Sequence, residues 1–381
     1  MVKVCVVTGG RMDYGHLYKV MKTIDESVSL DLQIIATCMH LSTEFGLTYR
    51  KIEEDGFKIN KKVECLLSTD TPSAVAKTIG LACIGFADAY KDLNPDLVLL
   101  MGDRYELLAA SQVALIMKIR IAHISGGDTT EGAYDEAIRH SITKMSHLHF
   151  VTNLDAYNRV KQLGENPKYI FNVGSPTIDY IKDTTMISKE ELGKKLEFKF
   201  KSINIIFTYH PVTLKNHKNR EDLITILDAL ASLGEDVGIL ITKSNADDGG
   251  RILNKEIDKF TKNNKNAKAY DALGQFLYYN CINIFDCVVG NSSSGLFEVP
   301  TFKKPTVNIG DRQKGRIRSN SVIDCNIDKQ EIISAVYKAI NMDCSKVNNP
   351  YGEGQSSKQI VSFIENHNLK EISLQKHFFN Y

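Results

Sequence analysis

The segment 290–300 contains residues whose types could bind a phosphorylated ligand. Its sequence is GNSSSGLFEVP, and it follows the short apolar run 287–289, which is typical of a strand end. Glycines and serines leave backbone N–H groups and hydroxyls free to bind an anion, and a helix start also favours negative charge. Glu298 lies one helical turn beyond Ser294 on the same face. A carboxylate there suits ribose hydroxyls, so the segment predicts a nucleoside diphosphate site.

Acidic residues form a second group of candidates, in the first half of the chain. Asp103 follows the apolar run 97–101, and Asp128 follows the run 119–124 and two glycines. Asp135 lies at the start of a predicted helix. Helix starts favour acids, and Asp103 is also a suitable helix N-cap, so neither of these two is diagnostic alone. Carboxylates that follow buried strands are candidates for proton transfer.

Basic residues also follow apolar runs in both halves. Arg11 comes after the glycine pair that ends the first run, and Arg312 comes after the last run. Arginine binds phosphate oxygens through paired N–H bonds. His210 precedes a proline at another strand end, where it could bind phosphate or transfer a proton. Each residue alone is compatible with a structural role, but together they favour an anionic ligand.

Sequence motifs for several other chemistries are missing. The glycines at 9 and 10 do not belong to a G-x-G-x-x-G motif, which disfavours a nicotinamide cofactor. The sequence has no Walker A motif, no H-E-x-x-H and no His, Asp or Glu at metal-ligand spacing. The serines at 292–294 lack the G-x-S-x-G pattern, so a serine hydrolase is disfavoured.

The elements that must position these residues alternate between strands and helices. Most predicted strands are apolar throughout, as expected when both faces of a sheet are covered. They fall at 2–8, 32–37, 97–101, 119–124, 149–152 and 169–173, and again at 203–208, 237–242, 286–289 and 305–309. Helical stretches such as 73–90 and 134–147 separate them. This alternation predicts an α/β fold with two doubly wound, Rossmann-like halves.

The same pattern predicts how the chain divides into domains. We expect an N-terminal domain over 1–175 with the acidic candidates, a C-terminal nucleotide-binding domain over 176–365, and a tail over 366–381 that packs back on the protein. Ligands bind at the carboxyl ends of the strands in such folds. With two halves facing each other, we expect the site in the cleft between them.

Composition limits the class of partner. The chain has 381 residues and a net charge of +1, which gives no argument for nucleic acid or an anionic membrane as a partner. No apolar stretch approaches the roughly 20 residues that span a bilayer, and the first residues are typical of a buried strand rather than a signal peptide. Eight scattered cysteines without a C-x-x-C pair predict core thiols in a cytoplasmic protein.

Nine short motifs, taken in order, resemble the hydrolysing UDP-N-acetylglucosamine 2-epimerases, the NeuC-like enzymes of bacterial sialic acid synthesis. The chain is also similar to the epimerase half of the bifunctional animal enzyme that makes N-acetylmannosamine. The motifs are TGGRMDYG at 8–15, MHL at 39–41, GDR at 102–104, GGD at 126–128, DEAIRH at 135–140, YHPV at 209–212, N-x-D at 245–247, GNSS at 290–293 and GDRQ at 310–313. Any one is weak, but nine in order are specific.

The resemblance implies a GT-B fold with an interdomain cleft, no metal and no cofactor. It implies a UDP-sugar substrate, a UDP product, and a cytoplasmic homodimer or a tetramer built from dimers. The family's nucleotide contacts correspond to Arg11, Arg104, His210, Asn245, Ser292, Ser293, Glu298 and Arg312. Its catalytic carboxylates correspond to Asp103, Asp128 and Asp135, and His210 joins them as a catalytic candidate.

One position departs from the family's pattern. Close relatives in sialic acid synthesis generally have glutamate where this chain has Asp128, whose side chain is one methylene shorter. Related 2-epimerases of legionaminic acid synthesis act on nucleotide-linked N,N'-diacetylbacillosamine, a 2,4-diacetamido-2,4,6-trideoxyhexose. The resemblance therefore implies UDP-N-acetylglucosamine as the first candidate substrate and UDP- or GDP-linked diacetylbacillosamine as the alternative.

The implied reaction suits these residue types. Loss of UDP from C1, coupled to removal of the C2 proton by a carboxylate, gives a 2-acetamidoglucal. Water then adds at C1, and a proton returns to the other face of C2, which releases N-acetylmannosamine. We expect Asp103 and Asp135 to transfer protons, and Asp128 to orient the sugar or share that task.

Three other functions stay open from sequence alone. A GT-B glycosyltransferase shares the nucleotide site, although the acids between 128 and 136 exceed its needs. A non-hydrolysing 2-epimerase would return a UDP-sugar, although the GGD and YHP motifs favour the hydrolysing branch. A nucleotide-sugar sensor without catalysis would share the same fold.

Overall fold

The structure, a computed structural model, describes residues 1–69, 71–130, 134–212, 218–244 and 250–380. The chain divides into two compact units. The first comprises 1–129, 134–182 and the chain from Tyr351 onwards, and the second is formed by 183–350. Each unit is built around a parallel sheet.

Seven strands of the described chain form the sheet of the first unit, in the order β3-β2-β1-β4-β5-β6-β7. Their bounds are β1 Val2–Thr8, β2 Leu30–Thr37, β3 Lys61–Val63, β4 Leu97–Met101, β5 Arg120–Ile124, β6 Leu148–Val151 and β7 Ile170–Asn172. The helices of this part are α1 Arg11–Asp25, α2 Tyr49–Glu54, α3 Pro72–Leu93, α4 Tyr105–Ile116, α5 Asp135–Met145, α6 Leu154–Gln162 and α7 Pro176–Asp183.

The second unit has six strands within its described residues, in the order β10-β9-β8-β11-β12-β13. Their bounds are β8 Ile203–Thr208, β9 Val237–Thr242, β10 Ala267–Tyr270, β11 Cys287–Gly290, β12 Thr306–Ile309 and β13 Val322–Cys325. The helices are α8 Lys189–Leu196, α9 Asn219–Ala231, α10 Gly250–Asn263, α11 Gly274–Ile284, α12 Ser294–Phe297 and α13 Lys329–Ile340. The last helix, α14 Ser356–Asn366, returns to the first unit.

Burial on both faces of each sheet explains the apolar strands. In β1, Val4 and Val6 pack into a core with α1, whereas Cys5 and Val7 pack into a core with α3 and α4 on the opposite face. Successive side chains of a strand point to opposite faces, so a sheet covered twice needs an unbroken apolar run. The predicted α/β class with two doubly wound sheets is confirmed.

Three strands, β3, β10 and β13, were not predicted from the sequence. All three lie at the edge of their sheet. An edge strand pairs on one side only and commonly carries polar residues, such as Lys61 and Lys62 in β3. These short segments therefore lack the apolar run by which the other strands were predicted.

The contacts of the chain divide it differently from the expected boundaries after 175 and 365. Helix α14 lies in the first unit, where Ile360 and Ile364 pack into the same core as α1. The Asp179 carboxylate of α7 accepts bonds from the backbone N–H groups of Ser356 (3.0 Å) and Ser357 (2.6 Å). The first unit thus needs the returning chain to cover its sheet.

The C-terminal tail contacts the first unit. The backbone N–H of Phe379 donates to the carbonyl of Gly164 (2.9 Å), and the Lys376 ammonium donates to the carbonyl of Lys144 (2.7 Å).

Among the described residues, no helix combines the length and apolar character needed to cross a membrane.

Strand order fixes where functional loops can meet. In each sheet the order reverses beside the first strand, between β1 and β4 and between β8 and β11. Gly290, at the end of β11, pairs with Thr208 of β8 and Asn308 of β12, so the loops after these strands leave the sheet at the same level. Ligands of doubly wound sheets bind at the carboxyl ends of the strands beside such a reversal.

Candidate active-site residues

The candidates of the first unit follow β1, β4 and β5, which are neighbours in the sheet. Arg11 is exposed and begins α1, and Asp103 and Arg104 follow β4. Asp128 follows β5 and is buried. Asp135 is partly buried and begins α5. Parallel strand order therefore brings these side chains to one edge of the first sheet.

Arg139 of α5 contacts several of these segments. Its guanidinium forms an ion pair with the Asp103 carboxylate. It also donates to the backbone carbonyl of Asp128 (2.7 Å) and lies 3.4 Å from the Glu136 carboxylate. The Arg139 side chain is buried. One cation thus joins the ends of β4 and β5 to the start of α5.

The Asp128 carboxylate is held by residues at the end of β6. Its Oδ1 accepts hydrogen bonds from the Thr152 hydroxyl (2.6 Å) and the Asn153 amide (3.2 Å). Asn153 is fixed in turn, because its Oδ1 caps α6 by accepting from the Ala156 N–H (2.9 Å). Two donors on one oxygen set the direction of this shorter acidic side chain.

Two further acids, Glu106 and Asp13, lie beside Arg104. Glu106 is fully buried, and its Oε1 accepts from Arg104 Nε at 3.2 Å. Gly9 permits this arrangement, because a Cβ atom there would collide with the Glu106 carboxylate. Asp13 lies beside the same ion pair. Burial raises the pKa of Asp13 to about 7, the nearby Arg104 opposes that rise, and Glu106 adds to it.

A buried histidine links the end of β4 to α5. His123 Nε2 lies 2.8 Å from the carbonyl of Gly102, and Nδ1 lies 3.0 Å from the Thr143 hydroxyl. Burial lowers the pKa of His123 to about 3. A neutral ring therefore fixes the residue before Asp103.

The second unit places its candidates after β8, β11 and β12. Asn291 is buried and clamps the loop that contains His210: its Oδ1 accepts from the His210 backbone N–H (2.7 Å), and its Nδ2 donates to the His210 carbonyl (2.8 Å). Gly290 has a φ of +133°, and a Cβ there would collide with the Thr208 carbonyl. The GNSS motif therefore fits β8 closely because it begins with glycine.

Cationic and neutral donors surround this loop. Arg312 Nη1 (3.1 Å) and Gln313 Nε2 (2.8 Å) both donate to the carbonyl of Asn291. Burial, and secondly the charge of Arg312, lower the pKa of His210 to about 3. The loop therefore presents a neutral imidazole beside an arginine, and a bound anion would raise the pKa of that imidazole.

Glu298 accepts hydrogen bonds on both carboxylate oxygens. The Ser294 hydroxyl donates to Oε2 (2.5 Å), and the Tyr279 hydroxyl donates to Oε1 (3.2 Å). Tyr278 extends this network by donating to Ser294 (2.9 Å). The expected one-turn spacing from Ser294 to Glu298 is present, but α12 spans four residues and is followed by a 3-10 helix at Val299–Phe302. The dipole of so short a helix adds little to anion binding.

The structure thus groups the predicted residues in two sets. Arg11, Asp103, Arg104, Asp128 and Asp135 lie on the first unit, and His210, Ser292, Ser293, Glu298 and Arg312 lie on the second. Ser292 and Ser293 are partly buried. Asn245 lies outside the described residues. The described part of the chain contains no group of three or more His, Cys, Asp or Glu side chains that could hold a metal ion.

Sequence analysis overlooked Glu106, Arg139, Thr152 and Asn291 as site residues. Arg139 and Asn291 lie inside recognised motifs, and Glu106 lies two residues after one. For Arg139 a signal existed, since it lies four residues after Asp135 and therefore on the same helical face. The contact between Thr152 and Asp128 had no such signal, because it depends on the pairing of β5 with β6.

Comparison with known proteins gives a family and a fold. The sequence profile of the UDP-N-acetylglucosamine 2-epimerase family matches residues 22–365. The GDP/UDP-N,N'-diacetylbacillosamine 2-epimerase (hydrolyzing) of Campylobacter jejuni is 43% identical over 327 residues, 86% of this chain and 85% of that protein. The UDP-N,N'-diacetylbacillosamine 2-epimerase (hydrolyzing) of Legionella pneumophila is 32% identical over 99% of this chain and 98% of its own.

A solved structure has the same fold. The crystal structure of the Neisseria meningitidis UDP-GlcNAc 2-epimerase bound to UDP-GlcNAc superposes with a TM-score of 0.83. The two sequences are 19% identical, and the match covers 96% of this chain and all of that one. The two parallel-sheet units therefore have the fold of that enzyme.

Proposed function

The chain belongs to the UDP-N-acetylglucosamine 2-epimerase family, and from that premise we propose that it hydrolyses a nucleotide sugar with inversion at C2. The observation that carries the proposal is the Asp103, Asp128 and Arg139 cluster at the carboxyl ends of β4 and β5. Carboxylates held at fixed positions beside the ends of two strands suit proton transfer, which nucleotide binding alone does not require. The 43% identical relative is named as hydrolysing, which supports the same conclusion.

The second unit binds the nucleoside diphosphate in this proposal. Arg312 and the His210 loop, with Ser292 and Ser293, face the diphosphate, and Glu298 accepts from the ribose. Arg11 and Arg104 of the first unit also contact the diphosphate, and Asn245 is a further proposed nucleotide contact. Donors fixed before the reaction stabilise the charge that develops as the nucleoside diphosphate leaves C1.

The carboxylates of the first unit transfer the protons. One of Asp103 and Asp135 removes the C2 proton while the C1–O bond breaks, which leaves a glycal with a C1–C2 double bond. Water adds its oxygen to C1 and gives up one proton to a carboxylate, and a carboxyl group returns a proton to the other face of C2. Asp128 orients the sugar, a role that its two donors, Thr152 and Asn153, support. His210 assists departure of the leaving group.

The preferred substrate in this proposal is UDP- or GDP-linked N,N'-diacetylbacillosamine. Sequence alone favoured UDP-N-acetylglucosamine, but the 43% and 32% identical relatives are both named for the diacetamido sugar. The free product is then the manno-configured 2,4-diacetamido-2,4,6-trideoxy sugar, for synthesis of a nonulosonic acid. UDP-N-acetylglucosamine stays the second candidate, because the profile that matches residues 22–365 is named for it.

We also propose a homodimer formed through α3 and α4. Helix α4 is rich in apolar residues, and Ile116 at its end is 80% exposed. Ile84 of the adjacent α3 is 66% exposed. Exposed apolar side chains on these two helices favour a protein interface there. All eight cysteines are free thiols, which supports a cytoplasmic location.

The experiment compares the three nucleotide sugars as substrates. Purified protein is incubated with UDP-N-acetylglucosamine, UDP-diacetylbacillosamine or GDP-diacetylbacillosamine, and nucleotide release is followed without an acceptor. We expect the highest kcat/KM for a diacetamido sugar. Preference for UDP-N-acetylglucosamine would reverse the substrate assignment, and release only with an added acceptor would indicate a glycosyltransferase. A D103N variant with full nucleotide release would refute the role of Asp103.

A further inference from the structure

Arg139 joins the three segments that contain the acidic candidates. Its side chain is 4% exposed, its Nη2 pairs with Asp103, and its Nη1 donates to the Asp128 carbonyl. Nη1 also lies 3.4 Å from Glu136, which follows Asp135 at the start of α5. One planar guanidinium therefore contacts residues that follow β4 and β5 as well as its own helix.

The contacts of Arg139 depend on its shape as well as its charge. A buried cation needs anionic partners, which Asp103 and Glu136 supply, and the Asp128 carbonyl accepts a further hydrogen bond from Nη1. Without this cation, Asp103 and Glu136 would repel each other at short range. A lysine ammonium is a single point of charge and does not reproduce the separate contacts of a forked guanidinium.

We propose that Arg139 is a positioning residue that holds the Asp103 carboxylate against the Asp128 loop and the start of α5, so that these acids act on one sugar. This inference rests on the proposed function. Arg139 contacts Asp103 and is not among the proposed nucleotide contacts, so we expect its loss to affect proton transfer and to leave nucleotide affinity unchanged. A displacement of about 1 Å of a reacting group costs roughly 100-fold in rate.

The test is a double-mutant cycle on turnover. Wild type, R139M, D103N and the R139M/D103N double variant are compared for kcat and KM with the best of the three nucleotide sugars. We expect R139M to lower kcat by roughly 100-fold, with KM changed by less than about threefold. In the D103N background, R139M should add little further loss, because the carboxylate that it positions is already inactive.

Three further proteins make the cycle decisive. R139K keeps the charge without the fork and should lose kcat in the same way, which also covers the case that R139M does not fold. Guanidinium ion added to R139A should restore part of the turnover, and added ammonium should not. R120M is the matched control: Arg120 also donates to backbone carbonyls in the first unit, those of Ile372 (2.9 Å) and Lys370 (3.1 Å), neither of which is a proposed site residue. Its kcat should equal that of wild type.

The outcomes separate this inference from the proposed function. Losses that multiply in the double variant, a raised KM with unchanged kcat in R139M, or an equal loss in R120M would each overturn the positioning role. A wild-type protein that releases no nucleotide from any of the three sugars would instead refute the proposed function. In that case the contact with Asp103 is tested by the unfolding midpoints of wild type, R139M, D103N and the double variant. An ion pair between the two residues predicts that the changes in midpoint of the single variants do not add up to that of the double variant.

Discussion

Replacing Asn291 tests whether the GNSS motif works by fixing the His210 loop. The Asn291 side chain makes two hydrogen bonds to the backbone of His210, at 2.7 and 2.8 Å. Each such bond contributes a net stabilisation of about 0.5–1.5 kcal/mol, so N291A should lower the free energy of unfolding by about 1–3 kcal/mol. If UDP must then order the His210 loop on binding, the free energy of UDP binding is weakened by the same amount.

That loss of 1–3 kcal/mol corresponds to a rise of about 5- to 150-fold in the Kd for UDP. Titration calorimetry measures this Kd, and urea unfolding measures the stability. Asn280 offers a matched control, because it is buried in the same unit and also makes two bonds to backbone, accepting from the Ile187 N–H (2.8 Å) and donating to the Phe276 carbonyl (2.8 Å).

N280A should therefore lose as much stability as N291A and bind UDP as tightly as wild type. The reasoning is refuted if folded N291A binds UDP with wild-type affinity. It is equally refuted if N280A loses the same affinity, because loss of stability alone would then explain both results.

Three more predictions follow from the charges of the site. The free energy of unfolding should rise with pH between about 4 and 6.5. Burial lowers the pKa of five histidines in the folded protein, so the unfolded chain binds more protons in this range. These histidines are His40, His123, His147, His149 and His210. Asp13 has the opposite effect on stability, since burial raises its pKa to about 7 and the folded state keeps its proton. In urea unfolding, D13N should therefore make the free energy of unfolding rise more steeply with pH, and a flatter dependence would contradict this prediction. E298Q should weaken inhibition by UDP more than inhibition by inorganic diphosphate, which has no ribose; equal weakening would exclude the ribose contact. The His210 ring should stay neutral at about pH 6 in the free protein, because its pKa is lowered to about 3, and NMR titration should show that pKa rising when UDP binds; a ring that titrates near its ordinary value without ligand would contradict the burial seen at His210.

Much of the fold follows from local features of the sequence. β1 and β8 are mostly apolar runs, followed by Gly9 and Tyr209, and the structure has them at the predicted residues Val2–Thr8 and Ile203–Thr208. β3, β10 and β13 were missed because edge strands lack that pattern. The return of α14 to the first unit depends on contacts with Asp179 and α1, which no local pattern contains.

The sequence predicted which residues belong to the candidate site but not which neighbours contact them. The strand ends could be located, so Asp103, Asp128, Arg312 and Glu298 could be named. Which neighbours hold them could not, because those neighbours come from other strands and helices. Thr152 reaches Asp128 across β5 and β6, and Glu106 fits beside Arg104 because Gly9 has no Cβ. Such contacts appear only once strand order and register are known.

The central claim is tested most directly by turnover in heavy water. The protein is incubated in D₂O with UDP-diacetylbacillosamine, and the products are identified by NMR. We predict UDP together with a free manno-configured sugar that carries deuterium at C2. A sugar released with retained configuration and protium at C2, or a product that is still linked to UDP, would contradict hydrolysis through a glycal.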